Sequence, residues 1–247
     1  MADYAKVAGI EHEAAFAWWV PYVIRKRLAI IAKIKSKYWA KTHKYGIRLP
    51  KNVADAKRID EENGDAKWMD GVRLEMQNNW IAFEVYDGNP TEMGFQEITG
   101  HLVFDVKLSE SFWRKARYCA NGQKAEAPAA LTYSTVVSRD LVRIMLMIAA
   151  LKDLEVMSAD VQNAFLNAPC KEKVWIVAGP EFGPEQGKHL IIVRALYGLK
   201  SASASFRAFM ANHLDDLGFK SNVADPDVWL KPAVKSDGEE YYEYILM

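Results

Sequence analysis

Apolar and polar positions change their period several times along the chain. After Pro21, "YVIRKRLAIIAKIKSKYW" places Val23, Leu28, Ile31 and Ile34 near one face at helical spacing, with bases on the other side, which predicts a basic amphipathic helix. "GIRLPKN", residues 46–52, reads as a linker, because Pro50 lacks an amide proton and restricts Leu49. A polar helical region follows over 52–79, and the turn chemistry of "DGNPTEMG", 87–94, marks a boundary. "EITGHLVFDVK", 97–107, then reads as strand.

From Ser138, "SRDLVRIMLMIAALKDL" predicts a helix with Ser138 or Asp140 suited to its N-terminus and an apolar surface too broad for an exposed face, hence a core helix. Next come a short strand "EVMSAD" (155–160), a helical "NAFLN", a strand near 173–178, a Gly/Pro loop to about Gly187 and a strand at 189–195. "SASASFRAFMANHLDDLG", 201–218, is a helix that Gly218 can end. "DVWLKPAVKSDGEEYYEYILM" reads as a hairpin turning at Asp237-Gly238. Strands and helices alternate without the repeat of a doubly wound sheet, so the expected class is α+β.

The charge balance is neutral, with Lys plus Arg and Asp plus Glu both totalling 32, so net charge points to no polyanionic partner. Its distribution is uneven. Residues 21–51 hold ten bases and no acid, whereas 53–92 hold ten acids and four bases. The basic stretch suits phosphate or a membrane surface if exposed, and a solvated or packed helix if not. Two distant cysteines, Cys119 and Cys170, exclude a disulfide framework or zinc ribbon and fit a reducing compartment. The apolar run 14–24 is broken by Pro21 and is shorter than the roughly 20 residues a membrane span needs. With Glu11 and Glu13 ahead of it, it is also unlike a signal peptide. The expectation is an intracellular protein, cytoplasmic or nuclear, with no membrane partner.

Asp160 ends the expected strand 155–160. Spacing alone leaves two roles open: a cap for the helix starting near Asn163, or a metal ligand. Its company bears on the choice. "YSTVVSRDLVRIMLMIAALKDLEVMSADVQNAFLNAP", "VRALYGLK" and "LGFKSNVADPDVWL" resemble, in order and spacing, the reverse transcriptase of copia-type retrotransposons. The resemblance covers roughly residues 95–247, and the upstream "PKNVADAKRIDEENGDAKWMDGVRLEM" is similar to the segment that precedes this polymerase. It implies three parts: a basic helical N-terminal segment and linker (1–50), a helical lead-in (51–94), and fingers with a partial palm (95–247). That is part of a polymerase right hand, with an antiparallel sheet packed on helices.

The resemblance also implies chemistry. Polymerases of this kind add deoxynucleotides to a DNA primer on an RNA template with two Mg²⁺ ions, one activating the primer hydroxyl and one holding the triphosphate. Asp160 matches the first catalytic aspartate, with the carbonyl of Val161 as the neighbouring ligand. Phe165 matches the bulky aromatic that excludes a 2′-hydroxyl. "FDVKLSESFWRKAR", 104–117, resembles the fingers hairpin that brings cations to the triphosphate, making Lys107, Arg114, Lys115 and Arg117 candidates. In "LYGLK", Tyr197 offers a stacking ring, Gly198 a close backbone approach, and Lys200 a template-phosphate contact.

The family's Tyr-Val-Asp-Asp hairpin, which supplies the remaining carboxylates, follows a strand resembling "YYEYILM" and is absent from this sequence. The expectation is therefore an incomplete metal site and negligible catalysis by this chain alone. The alternative is a non-catalytic nucleic-acid-binding remnant. Where the family commonly has "YGLKQAPRQW" this chain reads "YGLKSASASF", with Phe206 in place of a Trp.

Overall fold

The computed structural model describes residues 24–31, 42–108, 112–126 and 132–247. Helices and sheets are mixed, in two units. One contains Met1–Trp68 and Phe104–Lys115, the other Met69–Val103 and Ala116–Met247.

In the first unit, residues 24–31 are helical, as the amphipathic spacing predicts, and are exposed on every side, Leu28 and Ile31 included; Val23 and Ile34 lie outside the described residues. The expected linker at 46–52 is partly strand. β1 (His43–Lys44) and β2 (Ile47–Arg48) pair antiparallel around Tyr45-Gly46, and only residues 49–52 connect onward. The long polar helix divides into α1 (Val53–Asn63) and α2 (Lys67–Asn79). Asn52 caps α1 by accepting from the Asp55 N–H, and Gly64, at φ 68°, ends it by donating to carbonyls of the last turn. Asp60 then accepts from the Trp68 N–H at 3.1 Å, and Trp68 packs edge-on to Phe104 with ring centroids 5.7 Å apart. Both rings are buried, with Ala56, Ile59 and Val106 completing the unit's core.

The second unit is built on a four-stranded sheet. β3 (Phe83–Tyr86) pairs antiparallel with β8 (His189–Ile192), β8 antiparallel with β7 (Val174–Val177), and β7 parallel with β4 (Gln96–Glu97). The register sets Phe83 opposite Ile192 and Val85 opposite Leu190. Phe83, Tyr118 and Phe182 meet edge-on, with centroids 5.1–5.8 Å apart, which is the favoured geometry for ring quadrupoles. β5 (Gly100–Val106) and β6 (Arg114–Ala120) form the hairpin whose residues divide between the units. On β6, Ala116, Tyr118 and Ala120 are buried, while Lys115, Arg117 and Cys119 point to the other face.

A three-stranded sheet, β11 (Glu240–Leu246), β10 (Val228–Val234) and β9 (Lys220–Ser221), follows α4 (Ala202–Asp216). Leu214, Phe219 and Trp229 form its core against α4. The hairpin β10–β11 turns where expected, with Gly238 at φ 91°. Arg207 on α4 ties the helix to the sheet through Nε and Nη2, which donate to Oδ1 of buried Asp227 at 3.0 and 2.8 Å.

Three expectations need correction. The helix after Ser138 forms as α3 (Arg139–Leu151), and Ser138 caps it by accepting from the Leu141 N–H at 3.2 Å, but none of its residues is buried. It is not a core helix: Ile144, Leu146, Met147 and Leu151 are exposed. Residues 155–160 are exposed and form no strand, because no described strand offers them a ladder. The helical "NAFLN" is a single 3-10 turn, Ala164–Asn167. Unforeseen strands are β1, β2, β3, β6 and β9. The finer right-hand division into fingers and palm is not resolved by this architecture.

Candidate nucleotide site

The turn after β8 is fixed by backbone before any side chain acts. The Ala120 N–H donates to the Tyr197 carbonyl at 2.7 Å. Gly198 takes φ 91°, and a Cβ built there would lie 2.0 Å from the Ala120 carbonyl oxygen. Glycine is required there because the turn passes against the protein's own β6. Ahead of the turn, Pro169 bridges Arg194, and the Ala195 N–H donates to Ala168 at 2.9 Å, which brings the 3-10 turn Ala164–Asn167 alongside.

Side chains complete the clamp. Glu172, buried, accepts from the Ser201 N–H at 2.7 Å and from its hydroxyl at 2.9 Å, holding the start of α4. A carboxylate there meets the positive end of the helix dipole. Lys200 donates to the Ala125 carbonyl at 2.6 Å, so one of its three N–H bonds serves the fold. Glu172 was not foreseen; a lone acid in the "CKEK" loop carries no spacing signal.

On this base stand three of the expected residues. Arg117 Cζ lies 4.7 Å from the Tyr197 ring centroid, within cation–π range. Tyr197 meets Phe165 at 4.7 Å, and Phe165 meets Phe206 edge-on at 6.2 Å. Arg117 is exposed and Tyr197 is 39% exposed, so a planar group has access to a ring backed by a cation.

Asp160 and Val161 are exposed on backbone without secondary structure, and among the described residues Asp160 makes no hydrogen bond or ion pair. It does not cap the turn that follows, whose N-cap position is Asn163. Lys107, Arg114 and Lys115 belong to the first unit. There Lys107 is exposed, and its backbone N–H donates to the Trp113 carbonyl. Arg114 donates to the Phe112 carbonyl and lies 5.7 Å from the Trp68 ring.

No three acidic, His or Cys side chains come together to hold a metal among the described residues. One carboxylate does not fit a two-cation site. No described helix is long and apolar enough to cross a membrane.

Residues 83–240 match the family model described as reverse transcriptase (RNA-dependent DNA polymerase). The chain belongs to this family. Among similar proteins, the Retrovirus-related Pol polyprotein from transposon RE1 of Arabidopsis thaliana is 30% identical over 180 residues, covering 70% of this chain and 12% of the relative. That from transposon RE2 of the same plant is 28% identical, covering 67% and 12%. The counterpart from transposon TNT 1-94 of Nicotiana tabacum is 30% identical, covering 47% and 9%. These relatives place this reverse transcriptase chain in the copia-type group, and it spans about an eighth of the length of the first two. No solved structure matches. The matched segment contains the whole Arg117–Tyr197–Phe165 cluster and the turn that carries it.

Proposed function

We propose that this chain supplies the nucleotide-facing part of an RNA-directed DNA polymerase, which adds deoxynucleotides to a DNA primer on an RNA template. The reading rests chiefly on the Arg117–Tyr197–Phe165 cluster, an exposed stack of cation and rings on a clamped turn within a reverse transcriptase segment. Arg117 meets the incoming nucleotide, and Tyr197 gives it a face to stack on. Phe165, wedged between Tyr197 and Phe206, cannot retreat and so excludes a 2′-hydroxyl. Lys107, Arg114 and Lys115 serve the triphosphate, and Lys200, with the N–H bonds not given to Ala125, serves a template phosphate.

Divalent cations, Mg²⁺ in this reading, would supply the two-metal chemistry of the complete enzyme, and Asp160 with the Val161 carbonyl would hold part of their coordination there. The acidic partners they need are not gathered among the described residues, so Asp160 does not bind them tightly alone.

The test is primer extension on an RNA template by the complete polymerase of the element. Asp160→Asn should abolish extension, and Phe165→Val should admit ribonucleotides. Undiminished extension by the Asp160→Asn enzyme would sink the assignment.

A further inference from the structure

Helix α4 does not begin as helices ordinarily do. Ser201 holds its N-cap position, where a serine hydroxyl usually accepts from an amide of the first turn, yet no such bond forms. The Ser201 hydroxyl and backbone N–H instead both donate to Oε1 of Glu172, at 2.9 and 2.7 Å. The other carboxylate oxygen of Glu172, and the Ser205 hydroxyl one turn along the helix, are buried without a hydrogen-bond partner among the described residues. Unpaired buried polar atoms cost stability, so stability alone does not account for the arrangement.

What it fixes is the placement of the helix. A carboxylate accepts stronger bonds than a neutral oxygen, and Glu172 grips the first residue of α4 from the loop before β7. Further along, Arg207 donates through Nε and Nη2 to Asp227. Two buried carboxylates therefore hold α4 at Ser201 and at Arg207, and Phe206 falls between these anchors. Its ring meets Phe165 edge-on at 6.2 Å. Tyr197, the second ring against Phe165, is fixed by backbone through the Ala120 N–H. Phe206 rides instead on a helix whose placement depends on side chains.

We infer, on the role proposed for Phe165, that Glu172 is a positioning residue for sugar selection: through Ser201 and α4 it seats Phe206 against Phe165 and keeps that ring where a 2′-hydroxyl would lie. Glu172 is 7% exposed and acts through the helix.

The complete polymerase of the element is assayed with dTTP and with UTP, reading the ratio of the two kcat/KM values. Loss of folded enzyme lowers both alike and cancels in the ratio, whereas a displaced Phe206 does not. Glu172→Ala should lower the ratio about fivefold, and so should Phe206→Ala, which removes the edge-on ring contact itself. Glu172→Gln keeps a carbonyl acceptor for Ser201 and should restore most of the ratio. Phe219→Ala, in the core at the far end of α4, should destabilise the protein and leave the ratio unchanged. In the present chain, deuterium exchange of the Ser201 amide should rise about tenfold in Glu172→Ala. If Glu172→Ala does not fold, Ser201→Ala, which removes only the hydroxyl bond, should still lower the ratio about twofold. An unchanged ratio in the folded variant of this pair, an equal fall in Phe219→Ala, or unchanged exchange at Ser201 would overturn the positioning role. Phe165→Val separates that role from the reading beneath it. If Phe165→Val admits ribonucleotides while Glu172→Ala and Phe206→Ala do not, the positioning role alone falls; if Phe165→Val does not admit them, both fall.

Discussion

Replacing Gly198 by Ala tests whether the nucleotide-site turn is clamped by β6. Two costs arise. The first is conformational, because φ 91° disfavours any side chain by about 1 kcal/mol. The second is the collision of Cβ with the Ala120 carbonyl oxygen at 2.0 Å and its carbon at 3.1 Å. Real Cβ atoms stay beyond 3.0 Å, so the turn must move outward by about 1 Å. That movement breaks the 2.7 Å bond from the Ala120 N–H to Tyr197, leaving a buried group unpaired at about 1–3 kcal/mol. It also loosens buried Leu196 and Leu199, for about 1 kcal/mol more. The expected loss is about 3–5 kcal/mol. Gly218→Ala is the control. Its φ of 87° carries the same conformational cost, but its Cβ would meet only the end of the Lys231 side chain, at 3.9 Å. The two variants should therefore differ by about 2–4 kcal/mol in urea unfolding, or roughly 10 °C in melting temperature at this size. Equal destabilisation would refute the clamp, and with it the claim that Tyr197 is presented rigidly.

Asp227→Ala should destabilise the second unit by about 3 kcal/mol, because Arg207 loses the acceptor of two hydrogen bonds; urea unfolding measures it, and a loss below about 1 kcal/mol would count against the tether. Asp55 should contribute to acid stability. Burial opposes its charge, but Arg58, the Lys51 N–H and Arg48 together hold its carboxyl below the ordinary value of 3.8. A depressed folded value gives stability that is present above about pH 4 and lost as pH falls through the acid range, so Asp55→Asn should flatten the acid limb of a stability profile. An unchanged limb would contradict this. Burial pushes the Cys170 thiol up to about 11, leaving a thiolate fraction on the order of one in a thousand near pH 8. Iodoacetamide should label it only on unfolding, which mass spectrometry of the modified peptides can check.

Much of the fold is legible in the chain where local chemistry is strong. Ser138 and Asp237-Gly238 begin or turn elements as their types demand, whereas the break at Gly64 within the expected helical stretch 52–79 passed unread. β6 was hidden because its buried face is Ala116, Tyr118 and Ala120, two of them too small to stand out as apolar against Lys115 and Arg117. The error over α3 and 155–160 is of another kind. The apolar residues there state that a cover is required, not which segment provides it, and a strand needs a neighbour that no local pattern supplies. At the site, the motif drew attention to Phe165, Tyr197, Gly198 and Arg117, but it was the coordinates that gave Gly198 its contact with Ala120 and showed the anchor at Glu172.

These two kinds of position divide the work expected of this chain. Arg117 stands on β6, and Tyr197 and Phe165 on turns, where the backbone is hydrogen-bonded and neighbours are buried, so most of the ordering entropy is already lost on folding. Asp160 sits on exposed backbone with no ladder and no partner among the described residues. Fixing it for catalysis costs about 1–2 kcal/mol for each residue that must be ordered around it. A single monodentate carboxylate does not recover that from a hydrated Mg²⁺, which gives up water reluctantly. Recognition of nucleotide and strand can therefore be built into this segment in advance. On the proposed role of Asp160, catalytic geometry would require a strand to pair with residues 155–160 and further carboxylates to share the cations.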